Sequence, residues 1–414
     1  MSCADDYDPN SMPVTKAREF IQAYLNPING TERVAIRAAL GRVLAEDIIS
    51  PINVPSHINS AMDGYAVRYK DLNASGETVM HLAGTAFAGK PYAGKINAKE
   101  CVRIMTGAVL PRGADTIIMQ EHARAEGQNI RFDAGHKTGQ NIRQAGEDLA
   151  AGQIVLKAGK NVRPAELGLL ASLGIAEILV QRRLRVAFFS TGDELRSIGS
   201  TLEEGQIYDS NRYTLYGMLT RLGMEVMDMG VVKDDPASLE RALLDASNAA
   251  DVVITSGGVS VGEADYIKTL LSRLGEVVFW KIAMKPGRPL AYGKIGKAHF
   301  FGLPGNPVSV MVTFYQFVRD ALLILMGRTD DYVIPTLKAT CMNALKKVPG
   351  RTEFQRGILT QDNNGAWCVR VTGEQGSGIL RSMSEANCFI ILPESQGNVA
   401  AGSPVEVQIL DGLV

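Results

Sequence analysis

Between Leu184 and Arg328, hydrophobic and polar positions repeat in one order: a short apolar run, a loop, then a segment with apolar residues every three to four positions. RVAFFS precedes DSNRYTLYGMLTRLG, MEVMDMGVV precedes PASLERALLDASNAA, and DVVITS precedes ADYIKTLLSRLG. Strands alternating with amphipathic helices predict a doubly wound, mostly parallel α/β sheet with helices on both faces. Two more strand-like runs, EVVFWKIAM and KAHFFGL, lead to a long apolar helix from about Pro307 to Met326. Elsewhere the texture changes. From about Pro51 to Gly146, runs such as ETVMHLAG, ECVRIMTG and DTIIMQEH are cut by Gly, Pro and Asn, which predicts a small β-rich domain that projects loops. Leu149 to Leu179 holds a helical PAELGLLASLG and two short strands and reads as a connecting module. From about Tyr332, LKATCMNAL, FQRGILT, AWCVRVTG, CFIILPE and PVEVQIL follow at hairpin-like intervals, predicting a C-terminal β-domain. Near the start, TKAREFIQAYL spaces Ala17, Phe20, Ile21 and Tyr24 as one helical face, with Thr15 as its cap and Asn26-Pro27 as its end.

The 414 residues exceed what one core organises, so several domains are expected. Lys and Arg number 43 against 44 Asp and Glu, leaving no overall field toward nucleic acid or a membrane surface. Any anion site must be built locally. Five scattered cysteines (Cys3, Cys101, Cys341, Cys368, Cys388) form no CxxC pair, which argues against a disulfide framework or a zinc cage and fits a reducing cytoplasm. The five histidines are equally dispersed. MSCADDYDPNSM has no apolar core of a signal peptide, and no uninterrupted apolar run spans a bilayer, so neither secretion nor a membrane location is expected.

In doubly wound folds ligands bind beyond the carboxyl ends of the strands. Three loops expected there, each running from strand to helix, share an unusual make-up: TGDEL (Thr191 to Leu195), SGGVSVGEAD (Ser256 to Asp265) and LPGNPVS (Leu303 to Ser309). Glycines let main-chain N–H groups approach a phosphate, so Ser256, Gly257, Gly258 and a helix opening near Gly262 form a candidate cradle. Taken alone, a Ser-Gly-Gly turn reads first as a tight turn requiring positive φ; three such loops on one edge favour a site. Asp193, Glu194, Asp209, Asp234, Asp235, Glu263 and Asp265 supply the oxygen ligands that Mg²⁺ prefers, although Asp209 and Asp235 read better as helix caps. KIAMKPGRP brings Lys281, Lys285 and Arg288 into a Pro-Gly turn, either an anion grip or solvated surface charge. Outside the sheet domain, NSAMDGYAV carries Asp63 and GQNIRQAGED carries Arg143, Glu147 and Asp148; in isolation both look like ordinary loops.

Together NSAMDGYAV, RIMTGA, GQNIRQAGED, FSTGDEL, GQIYDSN, SGGVSVGEADY, KPGRP, GLPGNPVS and FQRG, in this order, resemble the MoeA family of molybdopterin molybdenumtransferases, which includes the E domain of gephyrin. The resemblance covers nearly the whole chain after about Met12. It implies four domains: an α/β molybdopterin-binding domain (12–26 and 183–331), a connecting module (27–49 and 149–182), an inserted β-rich domain (50–148) and a C-terminal β-domain (332–414). It further implies a homodimer with the site between the α/β domain of one subunit and the β-rich domain of the other. The activity implied is Mg²⁺-dependent insertion of molybdate into adenylyl-molybdopterin with release of AMP. Matching positions carried over are Asp63, Thr106, Arg143 and Asp148, then Glu194, Asp234, Asp265, Lys281, Lys285, Pro304 and Pro307, then Arg356 and Ser377. In the roles we assign, Asp63, Glu194 and Asp234 place Mg²⁺ or molybdate, Asp265 holds the pterin or orients Ser256 to Gly258, and the two lysines offset anionic charge. No cysteine has a catalytic role; sulfur chemistry belongs to the cofactor. Arg288 stands where relatives often have Lys, and Gly378 follows Ser377 where a larger polar residue is common.

Two other readings remain at this level. A molybdopterin adenylyltransferase would share the SGGVSVGEAD loop but would not need the NSAMDGYAV module. A gephyrin-like scaffold would use the same fold for binding a partner. As an enzyme, the protein is expected to make transient contact with the adenylyltransferase and with acceptors of the finished cofactor.

Overall fold

The computed structural model describes residues 10–258, 270–329 and 332–410. Its central α/β sheet has six strands in the order Glu225–Val232, Arg185–Thr191, Val252–Ser256, Ala298–Leu303, Pro289–Ile295, Gly275–Lys281. The first four are mutually parallel, Pro289–Ile295 runs antiparallel to them, and Gly275–Lys281, antiparallel to Pro289–Ile295, closes the edge. Side chains of a strand alternate between faces, and RVAFFS shows it. Val186 and Phe188 bury against Leu215 and Leu219 of the helix Ser210–Arg221, with Ala17 and Ile21 of the helix Val14–Ala23 in the same core. Ala187 and Phe189 bury on the other face against Leu239, Leu243 and Ala246 of the helix Pro236–Ala249. That opposite pairing is what doubly wound means physically.

Three details depart from the sequence expectations. The N-terminal helix starts on Pro13 with no side-chain cap, so Thr15 lies inside it, and Tyr24 is 54% exposed. Its buried stripe is Val14, Ala17 and Ile21 instead. Pro289–Ile295 is a strand the alternation did not predict, because Pro289, Gly293 and Lys294 interrupt its apolar run. At Gly293 a Cβ would meet the Glu276 carbonyl oxygen at 2.0 Å, so the close approach of the neighbouring strand demands glycine there. The long apolar helix is Pro307–Leu325, interrupted by a π-helical turn at Phe314–Val318. It is long and apolar enough to cross a membrane, yet 78% of it is buried inside the protein, as befits a core helix.

In the β-rich region six strands pair in the order Thr116–Met119, Gly64–Val67, Glu100–Ile104, Thr78–Ala86, Asn129–Phe132, Ala123–Glu126. The segments flanking it come back together: Thr31–Ala35 pairs with Glu177–Gln181 and Ile48–Ile49 with Ile154–Leu156, around a core of Leu44, Val162, Leu170 and Val180. At the C-terminus, Thr352–Gln361 pairs with both Trp367–Val371 and Cys388–Leu392, and through Thr336–Cys341 and Pro404–Ile409 the five strands close into a small barrel. Met284–Lys285 of the α/β domain adds alongside Thr352–Glu353, stitching the KPG turn to the barrel.

Candidate active site

Parallel register brings the carboxyl ends of three central strands to one edge, with Ser190 beside Ser256 and Ser256 beside Leu303. Asn211, one residue inside a helix capped by Asp209, ties the departing loops together. Its Nδ2 donates to Ser256 Oγ at 2.9 Å and to the Gly305 carbonyl at 2.7 Å. Ser256 Oγ in turn donates to the Pro304 carbonyl at 3.4 Å. Asn211 carried no role in the sequence reading; the only hint was an amide side chain directly after a capping Asp-Ser, too common to single out.

This knot changes what the glycine loop does. Ser256 is 1% exposed and its hydroxyl is engaged internally, and the Gly257 N–H donates to the Leu303 carbonyl at 3.1 Å. Neither is a phosphate donor in this arrangement. Gly257 contributes shape: with φ +91° and a Cβ that would sit 2.5 Å from the Thr191 carbonyl oxygen, only glycine fits. Gly258, at φ +68°, continues the left-handed turn. Asp265, Glu263 and Gly262 lie outside the described residues.

Around the knot, the buried oxygens Thr191 Oγ1, Asp209 Oδ2 and Asn211 Oδ1 have no hydrogen-bond partner among the described residues. Buried polar atoms are nearly always satisfied, so a cluster of them at the strand ends is a candidate place for a ligand or water. Two of the three are acceptors only, which suits N–H donors of a heterocycle or a hard cation better than a bare phosphate. Glu194 is exposed and folds over Gly192, where a Cβ would lie 2.6 Å from Glu194 Oε2. TGDEL does not open a helix as expected: it enters the two-residue strand Leu195–Arg196, paired with Ile207–Tyr208, and the helix begins only at Ser210. LPGNPVS does open one, with Pro307 in its first turn and Pro304 buried. Asp235 caps its helix by accepting from Ser238 N at 2.9 Å, and this bond holds its carboxyl below the ordinary range. Asp234 beside it is exposed.

The C-terminal barrel reaches this edge through Ser377, whose carbonyl accepts from Val308 N at 3.1 Å at the start of the Pro307 helix. Arg356 does not present its guanidinium to solvent. It is 1% exposed, with Nε on Ser382 Oγ at 3.0 Å and Nη2 on the Gly376 carbonyl at 3.0 Å, and burial pulls its pKa down to about 10. In this structure Arg356 is bonded to the loop that carries Ser377 and is turned away from the strand-end edge's solvent. Lys285 is exposed and lies 3.9 Å from the buried Glu353 of the barrel; Lys281, also exposed, ends its strand with its carbonyl accepting from Met12 N. Burial pushes the thiols of Cys101 and Cys388 up to about 12, leaving them inert at neutral pH.

A second constellation forms on the β-rich domain. Asp63 accepts from both Thr106 N and Thr106 Oγ1 at 2.7 Å, and these bonds, the backbone one first, hold its carboxyl below the usual range. The pairing Asn59–Ser60 with Ile142–Arg143 brings Arg143 against the same turn, its Nε 3.9 Å from Glu147. Asp148 is exposed, its N–H donating to the Val54 carbonyl. Among the described residues, no group of three His, Cys, Asp or Glu is arranged to hold a metal ion. Asp63, Glu194 and Asp234 are thus not gathered within one chain, because Asp63 belongs to the inserted domain and the other two to the sheet edge.

A glycine-shaped, acceptor-rich edge at the strand ends of an α/β domain, carried with an inserted β-rich domain and a C-terminal barrel, defines a multidomain molybdopterin-binding class. The chain matches three family descriptions: the MoeA N-terminal region (domains I and II) over residues 12–174, a probable molybdopterin binding domain over 187–323, and the MoeA C-terminal region (domain IV) over 338–410. It is 48% identical over 385 residues to the molybdopterin molybdenumtransferase of Haemophilus influenzae, covering 93% of this chain and 95% of that one. It is 34% identical to a gephyrin of Dictyostelium discoideum, covering 97% of this chain and 62% of that protein. The crystal structure of a molybdopterin biosynthesis MoeA protein from Pyrococcus horikoshii superposes with a TM-score of 0.85 at 30% identity, covering 97% of this chain and all of that one. The chain belongs to the MoeA family of molybdopterin molybdenumtransferases.

Proposed function

We propose that this protein inserts molybdenum into molybdopterin, taking adenylyl-molybdopterin and molybdate and releasing AMP. The observation that carries the reading is the Asn211 knot, with the unpartnered oxygens of Thr191, Asp209 and Asn211 around it. Acceptors fixed before the ligand arrives pay no reorganisation cost, and they match the N–H edge of a pterin. Glu194 and Asp234 border the same edge and, with Asp63 of a second chain, would hold Mg²⁺. This all-oxygen set fits that ion, which takes one or two carboxylates and completes its shell with water and phosphate oxygens. When bound, Mg²⁺ neutralises charge on the phosphoanhydride. Lys281 and Lys285 offset further anionic charge from the KPG turn, and the Thr106 bonds keep Asp63 ionised and oriented.

The reading calls for a homodimer, because among the described residues one chain does not gather its three candidate carboxylates. A cytoplasmic setting fits Cys101, Cys341, Cys368 and Cys388 all being free thiols, and the proposed chemistry calls for transient handover from an adenylyltransferase and to acceptor enzymes. The test is AMP release from adenylyl-molybdopterin by purified protein. We expect release only with both Mg²⁺ and molybdate; equal release without molybdate refutes the reading, as does rapid adenylylation of molybdopterin by ATP.

A further inference from the structure

A cavity of about 460 Å³ lies where the connecting module meets the α/β domain, well away in sequence from the strand-end loops. Seven of its fifteen lining residues are arginines and none is acidic. In a chain whose charges nearly cancel, this concentration needs a reason.

Carboxylates behind the wall hold four of the guanidinium groups. Arg42 meets Glu32 at 3.1 Å, Arg163 meets Glu166 at 3.3 Å, Arg182 meets Asp251 at 2.7 Å and Arg319 meets Asp320 at 2.6 Å. Arg42 and Arg319 are 7% and 3% exposed and form the back of the wall, whereas Arg182 and Arg163 keep a quarter and a half of their side chains exposed. Gly30 serves the same end: at φ +116°, a Cβ there would press on Arg182 Cδ at 2.9 Å. Arg183 and Arg221 are exposed, and among the described residues neither guanidinium meets a carboxylate, although the Arg183 backbone N–H donates to Glu32 at 3.3 Å. Helix C-termini attract cations, and Arg183 does donate to the Gly223 carbonyl at 3.3 Å beyond the end of Ser210–Arg221. That accounts for one arginine, not for seven around a cavity.

Forked guanidinium donors fixed around a concave wall match the oxygens of phosphate groups. No aromatic residue lines the cavity, so nothing there stacks a nucleobase. We propose that this cavity is a binding site for a polyphosphate anion, pyrophosphate or the phosphate tail of a nucleotide, distinct from the strand-end site. Because its walls come from two domains, an occupant bridges Leu40–Val43 and Arg182 of one to Arg183, Arg221 and Arg328 of the other.

Titration calorimetry on the full chain at low salt, with pyrophosphate, triphosphate and ATP as probes, tests this. We expect one saturable site per chain, with ATP and triphosphate within about threefold of each other, since only the phosphates are read. Arg183→Glu and Arg221→Glu should each weaken binding by roughly tenfold or more, and Arg183→Gln and Arg221→Gln by less, at unchanged unfolding temperature. Bound pyrophosphate should slow amide hydrogen exchange at residues 40–43 and 222–224. Absence of saturation at about 1 mM anion overturns the proposal, as does binding indifferent to both Glu variants. ATP binding roughly tenfold tighter than triphosphate also overturns it, because a base would then be recognised.

Discussion

Asn211 offers the sharpest test of the strand-end site, because one amide group donates to two loops. Asn211→Ala removes both bonds. Gly305 is exposed, so water replaces the donor to its carbonyl, and Ser256 Oγ retains the Pro304 carbonyl. With about 1 kcal/mol per lost bond and a small cavity, the α/β domain should lose about 2–3 kcal/mol. Asn211→Asp keeps the volume but sets a carboxylate oxygen where Nδ2 stood, 2.7 Å from the Gly305 carbonyl, which cannot donate, and draws the Ser256 hydroxyl off the Pro304 carbonyl; a buried charge facing that carbonyl should cost at least about 3 kcal/mol. The isosteric change is therefore the worse one. Trp280 and Trp367 are the two tryptophans of the chain, and Trp280 packs at 4.9 Å between ring centroids on Phe20 within the α/β domain. In a Trp367→Phe background, denaturant unfolding followed by fluorescence reads that domain alone. Loop displacement of about 1 Å costs on the order of a hundredfold in rate, so AMP release should fall with stability in the same order. If both variants cost under about 0.5 kcal/mol, or if Ala proves the more damaging, the knot does not organise the site.

If the site is shared between subunits, chains carrying Asp63→Ala and chains carrying Glu194→Ala should each be inactive alone, yet random mixing should restore roughly a quarter of wild-type turnover, since half the dimers regain one intact site; no recovery places both residues in one chain's site or in none. Gly257→Ala should destabilise the α/β domain by about 2 kcal/mol or more, because a Cβ at φ +91° and 2.5 Å from the Thr191 oxygen forces the loop to shift, and an unchanged unfolding midpoint contradicts this. Burial lowers His299 to about 4 from 6.5, so between those values the unfolded chain binds a proton that the folded protein refuses. Its contribution is complete above pH 6.5 and declines as pH falls toward 4, by at most about 3 kcal/mol. His299→Phe should flatten the stability profile over that window, and parallel profiles for variant and wild type would rule His299 out.

Much of the architecture was legible because periodicity reports burial directly. RVAFFS alternates because its strand is covered on both faces, and the amphipathic PASLERALLDASNAA follows from packing on one of them. Where a segment's apolar run was broken, as at Pro289–Ile295, the strand went unseen, since its place comes from two neighbouring strands and not from its own pattern. The site was legible as loops, through Gly257, Glu194 and Asp63, but not as bonds. Ser256 and Arg356 read from the sequence as ligand-binding groups, and what the sequence did not show is that both are bonded to the protein's own backbone and side chains.

By itself the sequence determined which stretches become strands and helices, which glycines must turn, which aspartates cap helices, and the family to which the chain belongs. Tertiary structure alone decided that Asn211 bridges Ser256 to Gly305, that Arg356 faces inward, and that seven arginines from distant segments line one cavity. The physical reason is range. Hydrophobic period and turn chemistry act over a few neighbouring residues, whereas a hydrogen bond between positions 211 and 305, or a wall shared by residues 42 and 319, exists only after two cores have closed.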